Sequence, residues 1–188
     1  AEIKKMGKAV RNMVEEALDV YVTGDEERAY EVAASDEVID NYFKEIQNMA
    51  VESIRQQPDT VFAGKEYLQV ITYLERIGDY ATNLDEMAQK MNETGCKFSE
   101  GAQKELDILG DAIQEILRLT VEALENDSDY VARRIEPLEE VIDDMVLLLK
   151  DRHTARLCEG ICSIDSGLIF MDILTYYERT ADQCSSIA

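Results

Sequence analysis

The sequence predicts an all-α protein, with six helices forming two tandem three-helix bundles. Three observations carry that prediction. Helix breakers are scarce, with 9 Gly and 2 Pro in 188 residues, while Ala, Leu, Glu and Met are plentiful. Apolar residues recur at helical spacing almost from end to end. The chain also repeats itself. Glu75-Arg76-Ile77-Gly78-Asp79 matches Glu178-Arg179-Thr180-Ala181-Asp182, and 178 − 75 = 103. The same shift pairs Glu37-Val38-Ile39-Asp40 with Glu140-Val141-Ile142-Asp143, Gly7 with Gly110, Gly64 with Gly167, and Thr72-Tyr73 with Thr175-Tyr176. Distant segments that agree on one ungapped offset mark an internal duplication. The expected units are 1–95 and 96–188.

The first helix is read as Ile3 to Val22. It stops at Thr23-Gly24-Asp25-Glu26, where Gly24 suits a left-handed C-terminus and Thr23 to Glu26 has capping-box spacing. The second helix runs to about Arg55 and breaks at Gln57-Pro58-Asp59. The third spans Val61 to Met91 and ends near Gly95. The fourth, fifth and sixth are placed at Ser99–Leu124, Ser128–Leu157 and Glu159 to the last residue. Pro137 falls inside the fifth, so that helix either kinks there or starts later. The expected core stripe of the third helix is Tyr67, Val70, Leu74, Ile77, Ala81 and Leu84. On the second it is Val32, Ile39, Phe43, Ile46 and Ala50.

Charge narrows the function. Lys and Arg total 19 against 40 Asp and Glu, a net charge of −21. That disfavours nucleic acid and anionic membrane surfaces and favours cationic partners, of which metal ions are the simplest. No apolar run approaches the roughly 20 residues of a membrane span, and no signal segment opens the chain. Cys96, Cys158, Cys162 and Cys184 form no CxxC pair, which points to a reducing, cytoplasmic compartment. Cys158 and Cys162 are read as small buried residues. His153 has no acid–nucleophile set around it in the sequence, and no Gly-rich phosphate loop is present.

The candidate site is carboxylate. Asp36 and Asp40, Glu75 and Asp79, Glu139 and Asp143, and Glu178 and Asp182 are each spaced i,i+4, which puts the two acids on one helix face about 6 Å apart. So acidic a chain yields about eight such pairs by chance, and a single pair means little. Here each pair recurs at the repeat offset and flanks a core stripe. In an antiparallel hairpin two flanking stripes face each other, bringing four carboxylates together on each bundle. All-oxygen ligands of this kind suit hard cations. The alternative is a solvated acidic face with Arg76 and Arg179 in local ion pairs.

These motifs resemble the PhoU family over essentially the whole chain. The sharpest stretch is Tyr73-Leu-Glu-Arg-Ile-Gly-Asp-Tyr-Ala-Thr-Asn83, echoed by Tyr176-Tyr-Glu-Arg-Thr-Ala-Asp-Gln-Cys-Ser-Ser186. The resemblance implies metal clusters on the acidic pairs, with iron favoured and Mn, Zn, Mg or Ca as other candidates. It implies Arg76, Asn83 and Arg179 as supporting residues. It also implies a regulator of phosphate uptake acting on a transporter membrane domain or an associated signalling protein, with a homodimer as a further expectation. The family's usual His after the motif Asp is Tyr80 in one copy and Gln183 in the other, and its Asn is Ser186 in the second, which implies a weaker or different second site. A narrower resemblance, in His153-x-x-Arg156-Leu-x-x-Gly160-x-Cys162 and Asp172, is to the PhoU-type domain of bacterial Na⁺/phosphate cotransporters. With no initiating Met and a stop just after the last motif, it leads to the expectation of a domain cut from a longer protein.

Three functional readings follow. The first is a metal-binding regulatory domain that controls phosphate uptake. The second is a metal-free acidic helical module that meets a basic partner surface by charge complementarity. The third, a carboxylate-metal hydrolase, ranks last, because nothing beyond the ligands supplies an oriented general base. The expectation is therefore a protein that is not an enzyme.

Overall fold

Helix α1 (Glu2–Thr23) closes on Gly24, whose φ of 66° is the left-handed conformation that costs glycine little. The computed structural model describes the backbone of residues 1–188 and every side chain except that of Glu26. Helix α2 (Glu26–Gln56) is capped by Asp25, whose carboxylate accepts a hydrogen bond from the Glu27 amide at 3.0 Å. The cap thus sits on Asp25 and not on Thr23. The side chain of Glu26, the other half of the expected capping box, lies outside the described residues.

A 3₁₀ turn at Pro58–Thr60 leads into α3 (Val61–Thr94), which ends at Gly95. Residues 96–99 are irregular, and α4 (Glu100–Asn126) begins with Ser99 accepting from the Ala102 amide. At the end of α4, Asp127 takes φ 47°, the left-handed position that Gly24 fills 103 residues earlier. No strand occurs among the described residues.

The fifth and sixth predicted helices need correction. Residues 128–157 do not form one helix. A single turn, α5 (Asp129–Ala132), precedes α6 (Ile135–Cys158). Pro137 is the third residue of α6, within the first turn, where amides have no intrahelical acceptor, so it begins the helix without kinking it. The last helix, α7 (Ile164–Ile187), starts at Ile164, not at Glu159. The reason is local. Gly160 adopts φ 70°, and the Ile161 amide donates back to the Arg156 carbonyl at 3.0 Å, a six-to-one closure that ends α6. Ser163 then caps α7 by accepting from the Ser166 amide.

Helix α2 packs antiparallel on α3, and α6 on α7, giving two hairpins. Helix α1 lies against α2 and α3, α4 against α6 and α7, and α1 also meets α4 while α3 meets α7. One buried apolar cluster runs through both units, from Met6, Val10 and Met13 through Ile71 and Ile77 to Ile113, Ile142 and Phe170. Two core expectations fail. Tyr67 is 56% exposed, because the apolar stripe of α3 turns to Gly64 and Ile71 at that level. Cys158 is exposed and Cys162 only half-buried, since the break at Gly160 takes both off any core face.

Gly64 and Gly167 occupy the same place in the two hairpins. A Cβ on Gly64 would stand 2.7 Å from Ile54 Cδ1, and one on Gly167 would stand 2.9 Å from Leu157 Cδ2 and 3.1 Å from His153 Nε2. Gly78 is different. Its Cβ would stand 3.3 Å from Ile39 Cδ1, and the second copy already carries Ala181 there, fully buried. Gly167→Ala is therefore expected to destabilise the fold by about 1–3 kcal/mol, because buried His153 must move. Gly78→Ala should stay within about 1 kcal/mol of the parent, helped by the helix propensity of Ala. Thermal and urea unfolding of the two variants checks the contrast.

Candidate metal centres

Asp36 and Asp40 project from α2 toward Glu75 and Asp79 on α3. The convergence shows in their electrostatics. Desolvation raises the carboxyl of Asp79 above its ordinary range, and Asp36 and Asp40 across the hairpin add to it. Glu75 is raised by desolvation and then by Asp79 and Asp40, with Arg76 working against them. Asp36 is raised by desolvation and by Asp40, against a hydrogen bond from Thr82.

The second hairpin is tighter. Glu139, Asp143 and Asp182 each offer a carboxylate oxygen within 4.8 Å of the others. Desolvation comes first for Glu139, followed by Asp143, Asp182 and a hydrogen bond shared with Asp182; together they push its carboxyl up to about 7. In its protonated form Glu139 is the donor to Asp182, whose own carboxyl that contact lowers. Asp143 is raised by desolvation, then by Asp182 and Glu178, and its Oδ1 is buried with no partner. The fourth acid stands apart from the cluster, because Lys150 Nζ donates to Glu178 Oε2 at 2.7 Å. Lys150 is half-buried and lies two turns past Asp143 on α6.

Each predicted pair thus faces its partner pair across a hairpin. Arg76 and Arg179 are exposed, and each lowers the carboxyl of a nearby acid, Glu75 and Asp182 respectively. Among the described residues neither closes an ion pair, so the local pairing expected of a plain acidic face is missing. Asn83 is half-buried on α3, one turn past Asp79. Sequence reasoning missed Lys150, although the signal was present: a base on the stripe of Glu139 and Asp143, where the first copy has Gln47. Tyr80, which stands where the family motif has His, stacks its ring on that of Tyr176 at 6.4 Å, between α3 and α7.

These residues fit a hard cation. The donors are all carboxylate oxygens, three of them preassembled, one with an orphaned buried oxygen. The aromatic stack and the lysine add no soft ligand.

Fold and site together define a class of duplicated three-helix proteins with a carboxylate set across each hairpin. The chain belongs to the PhoU domain family, whose model matches residues 3–88 and 106–188. A phosphate-specific transport system accessory protein PhoU homolog from Clostridium acetobutylicum is 38% identical over 85 residues, which is 45% of this chain and 39% of that protein. PhoU homolog 1 of the same system from Thermotoga maritima is 26% identical over 191 residues, covering 100% of this chain and 81% of that protein. The match to the Clostridium protein thus spans well under half of its length. The crystal structure of PhoU from Pseudomonas aeruginosa superposes with a TM-score of 0.91 at 19% identity, over 99% of this chain and 90% of that one. That likeness shows the shared fold.

The clustered carboxyls give the metal-free protein a pH dependence of definite sign. A carboxyl whose folded pKa is raised holds its proton in the folded state where the unfolded chain has lost it. For Glu139 that window runs from its ordinary 4.5 to about 7. Its stabilising effect is complete below the window and lost as pH rises through it. His153, buried and held below its ordinary value by desolvation and Arg156, works in the opposite sense below about 6.5. The clean readout is therefore a difference. Between pH 5 and 8 the Tm of the metal-free parent should fall relative to that of Glu139→Gln, and parallel melting curves across that range would contradict the raised Glu139 carboxyl.

Proposed function

We propose that this chain is a regulatory accessory domain of a phosphate transport system, and that its carboxylate hairpins hold hard metal ions. Family membership supports the first part, as do relatives named as accessory proteins of phosphate-specific transport. The carboxyl trio Glu139, Asp143 and Asp182 carries the second, since it assembles on faces that recur at the repeat offset. Among the described residues no helix is long and apolar enough to cross a membrane. The proposed place is the cytoplasmic side of the transporter, on its membrane domain or on an associated signalling protein.

In the first hairpin Asp36, Asp40, Glu75 and Asp79 would hold the cation. In the second, Glu139, Asp143 and Asp182 would do so, with Glu178 joining once released by Lys150. A bound cation supplies positive charge that offsets the repulsion among these acids and ties the two helices of a hairpin together. The residues themselves set the helix spacing and present a surface whose charge depends on occupancy. Iron is the first candidate, from the family resemblance; Mn, Zn, Mg and Ca are the ions to compare. The role is regulatory, not enzymatic.

A second reading rests on one observation: Lys150 already neutralises part of the second hairpin. That hairpin then serves as a metal-free acidic face for a basic partner, while the first hairpin binds the ion.

Elemental analysis of protein purified without chelator or affinity metal tests both. The parent should carry metal, Glu75→Ala/Asp79→Ala should lose the share of the first hairpin, and Glu178→Ala/Asp182→Ala the share of the second. Protein that stays metal-free after incubation with each ion and desalting would end the metal reading. Lys150→Gln should tighten binding at the second hairpin by roughly two- to fivefold, the worth of a partly exposed ion pair. Titration calorimetry on the metal-free protein measures that change.

A further inference from the structure

The two repeat units differ on one outer face. In the first, Lys5 of α1 is exposed and held above its ordinary pKa by its hydrogen bond to Glu2 first, with Tyr42 and Glu45 of α2 adding to it from across the helix pair. The repeat offset carries Lys5, Tyr42 and Glu45 to Ile108, Met145 and Leu148, and Lys44 to Leu147. It carries Lys8, Asn41 and Asn48 to Asp111, Asp144 and Asp151. In the second unit Glu105, near the start of α4, accepts from Arg152 and Arg156, near the end of α6, at 3.1 and 2.8 Å. One turn inward on each of these antiparallel helices, Ile108 comes opposite Leu148. Ile108 is 61% exposed, Leu147 63%, Leu148 48% and Val141, two turns back on α6, 52%. Half-buried Met145 lies between Val141 and Leu148 along the same helix. Asp111, Asp144 and Asp151 stand exposed around this patch, and among the described residues none of the three closes an ion pair. Arg152, at the same rim, is already held by Glu105. Ala1 and Ala188 lie near Asp127, past the other end of α4, roughly 25 Å along that helix from Ile108.

We propose that this face of α4 and α6 docks a basic amphipathic helix of a partner protein. Single apolar side chains are ordinary on a protein surface, but a contiguous group ringed by polar ones marks a place of contact. The fold does not require the group, because the first unit builds the same helix pair with Lys5, Lys44 and Glu45 there. The occupant follows from the chemistry of the patch. Its apolar centre runs along a helix pair, which suits the apolar stripe of another helix, and no strand edge is on offer among the described residues. Its rim is three unpaired aspartates, two of them at positions where the first unit has only amides, so lysines or arginines beside that stripe complete the match. A second copy of this chain would bring a net charge of −21 to those aspartates. Glu139 and Asp143 are each two residues from Val141, about half a turn away on the opposite side of α6. The docking face and the carboxylate hairpin are thus separate, and the inference holds with or without metal.

The test uses the 188-residue chain and a synthetic peptide of about 15 residues, long enough to form a helix, with Leu on one face and Lys on the other. In NMR titration the methyl signals of Ile108, Val141, Leu147 and Leu148 should shift saturably. That of Val38, the counterpart of Val141, should stay still. The charge-neutral variant Ile108→Lys/Leu148→Glu copies the first unit. It should bind about tenfold more weakly or worse, with the Tm unchanged because both side chains are exposed. Asp144→Asn/Asp151→Asn, which also copies the first unit, should weaken binding and flatten its dependence on salt. A peptide of the same composition with Leu and Lys spread over every face should leave the patch signals in place. Absent shifts, shifts centred on the carboxylate hairpins, undiminished binding by the Ile108→Lys/Leu148→Glu variant, or equal binding of the mixed-face peptide would overturn the proposal. Patch signals that shift with protein concentration alone would assign the face to a second copy, and would overturn it too.

Discussion

Carboxylates four residues apart repel by a few tenths of a kcal/mol even on an exposed helix. On each hairpin of this protein, two such pairs face one another. What keeps them facing is the apolar packing on the other side of the same helices. Ile39, Ile46, Leu74 and Ile77 in one unit, and Ile142, Leu149, Leu174 and Tyr177 in the other, are all buried. Each large apolar side chain taken out of water contributes about 1.5–3 kcal/mol, far more than one repulsive pair costs. The acids therefore stand where the core puts them, and their raised pKa values record the strain of that placement. Gly64 and Gly167 permit the close helix approach near the hairpin tips. The rest of each hairpin follows from that approach.

The two units then relieve the same repulsion in different ways. In the second, Lys150 takes Glu178, and the Glu139 carboxyl is pushed up to about 7 beside Asp143 and Asp182. In the first, Gln47 stands at the position of Lys150 and offers no charge. The duplicated site is thus one scaffold in two electrostatic states. Tyr80 and Tyr176 link the helices that carry them, because their stack joins α3 to α7 where the two units meet.

Much of this was legible in the sequence. The all-helical fold, the repeat and the pairing of acids across hairpins all rest on periodicity and on i,i+4 geometry, which local sequence carries directly. The failures have physical causes. Helix ends near residues 128–137 and 158–164 depend on which of several capping signals closes the chain. Pro137 allowed a kink or a later start, and α6 takes the later start with Pro137 in its first turn, while Gly160 ends a helix where the sixth was placed from Glu159 onward. Tyr67 fits the helical stripe, yet it is largely exposed, because the buried face of α3 turns to Gly64 and Ile71 there. Lys150 was visible as a residue but not as an ion-pair partner. Its reach to Glu178 crosses between helices 28 residues apart in sequence.

The contact of α1 with α4 and of α3 with α7 relates one unit to the other through like elements. Two separate copies of a single bundle would meet through the same surfaces, each lending its patch to the other, as in an isologous dimer. Joining them in one chain replaces dimerisation by an intramolecular encounter at a fixed, high effective concentration. It also ends the requirement that the halves stay identical. In a symmetric dimer every substitution appears twice, whereas here a lysine could enter one site without altering the other.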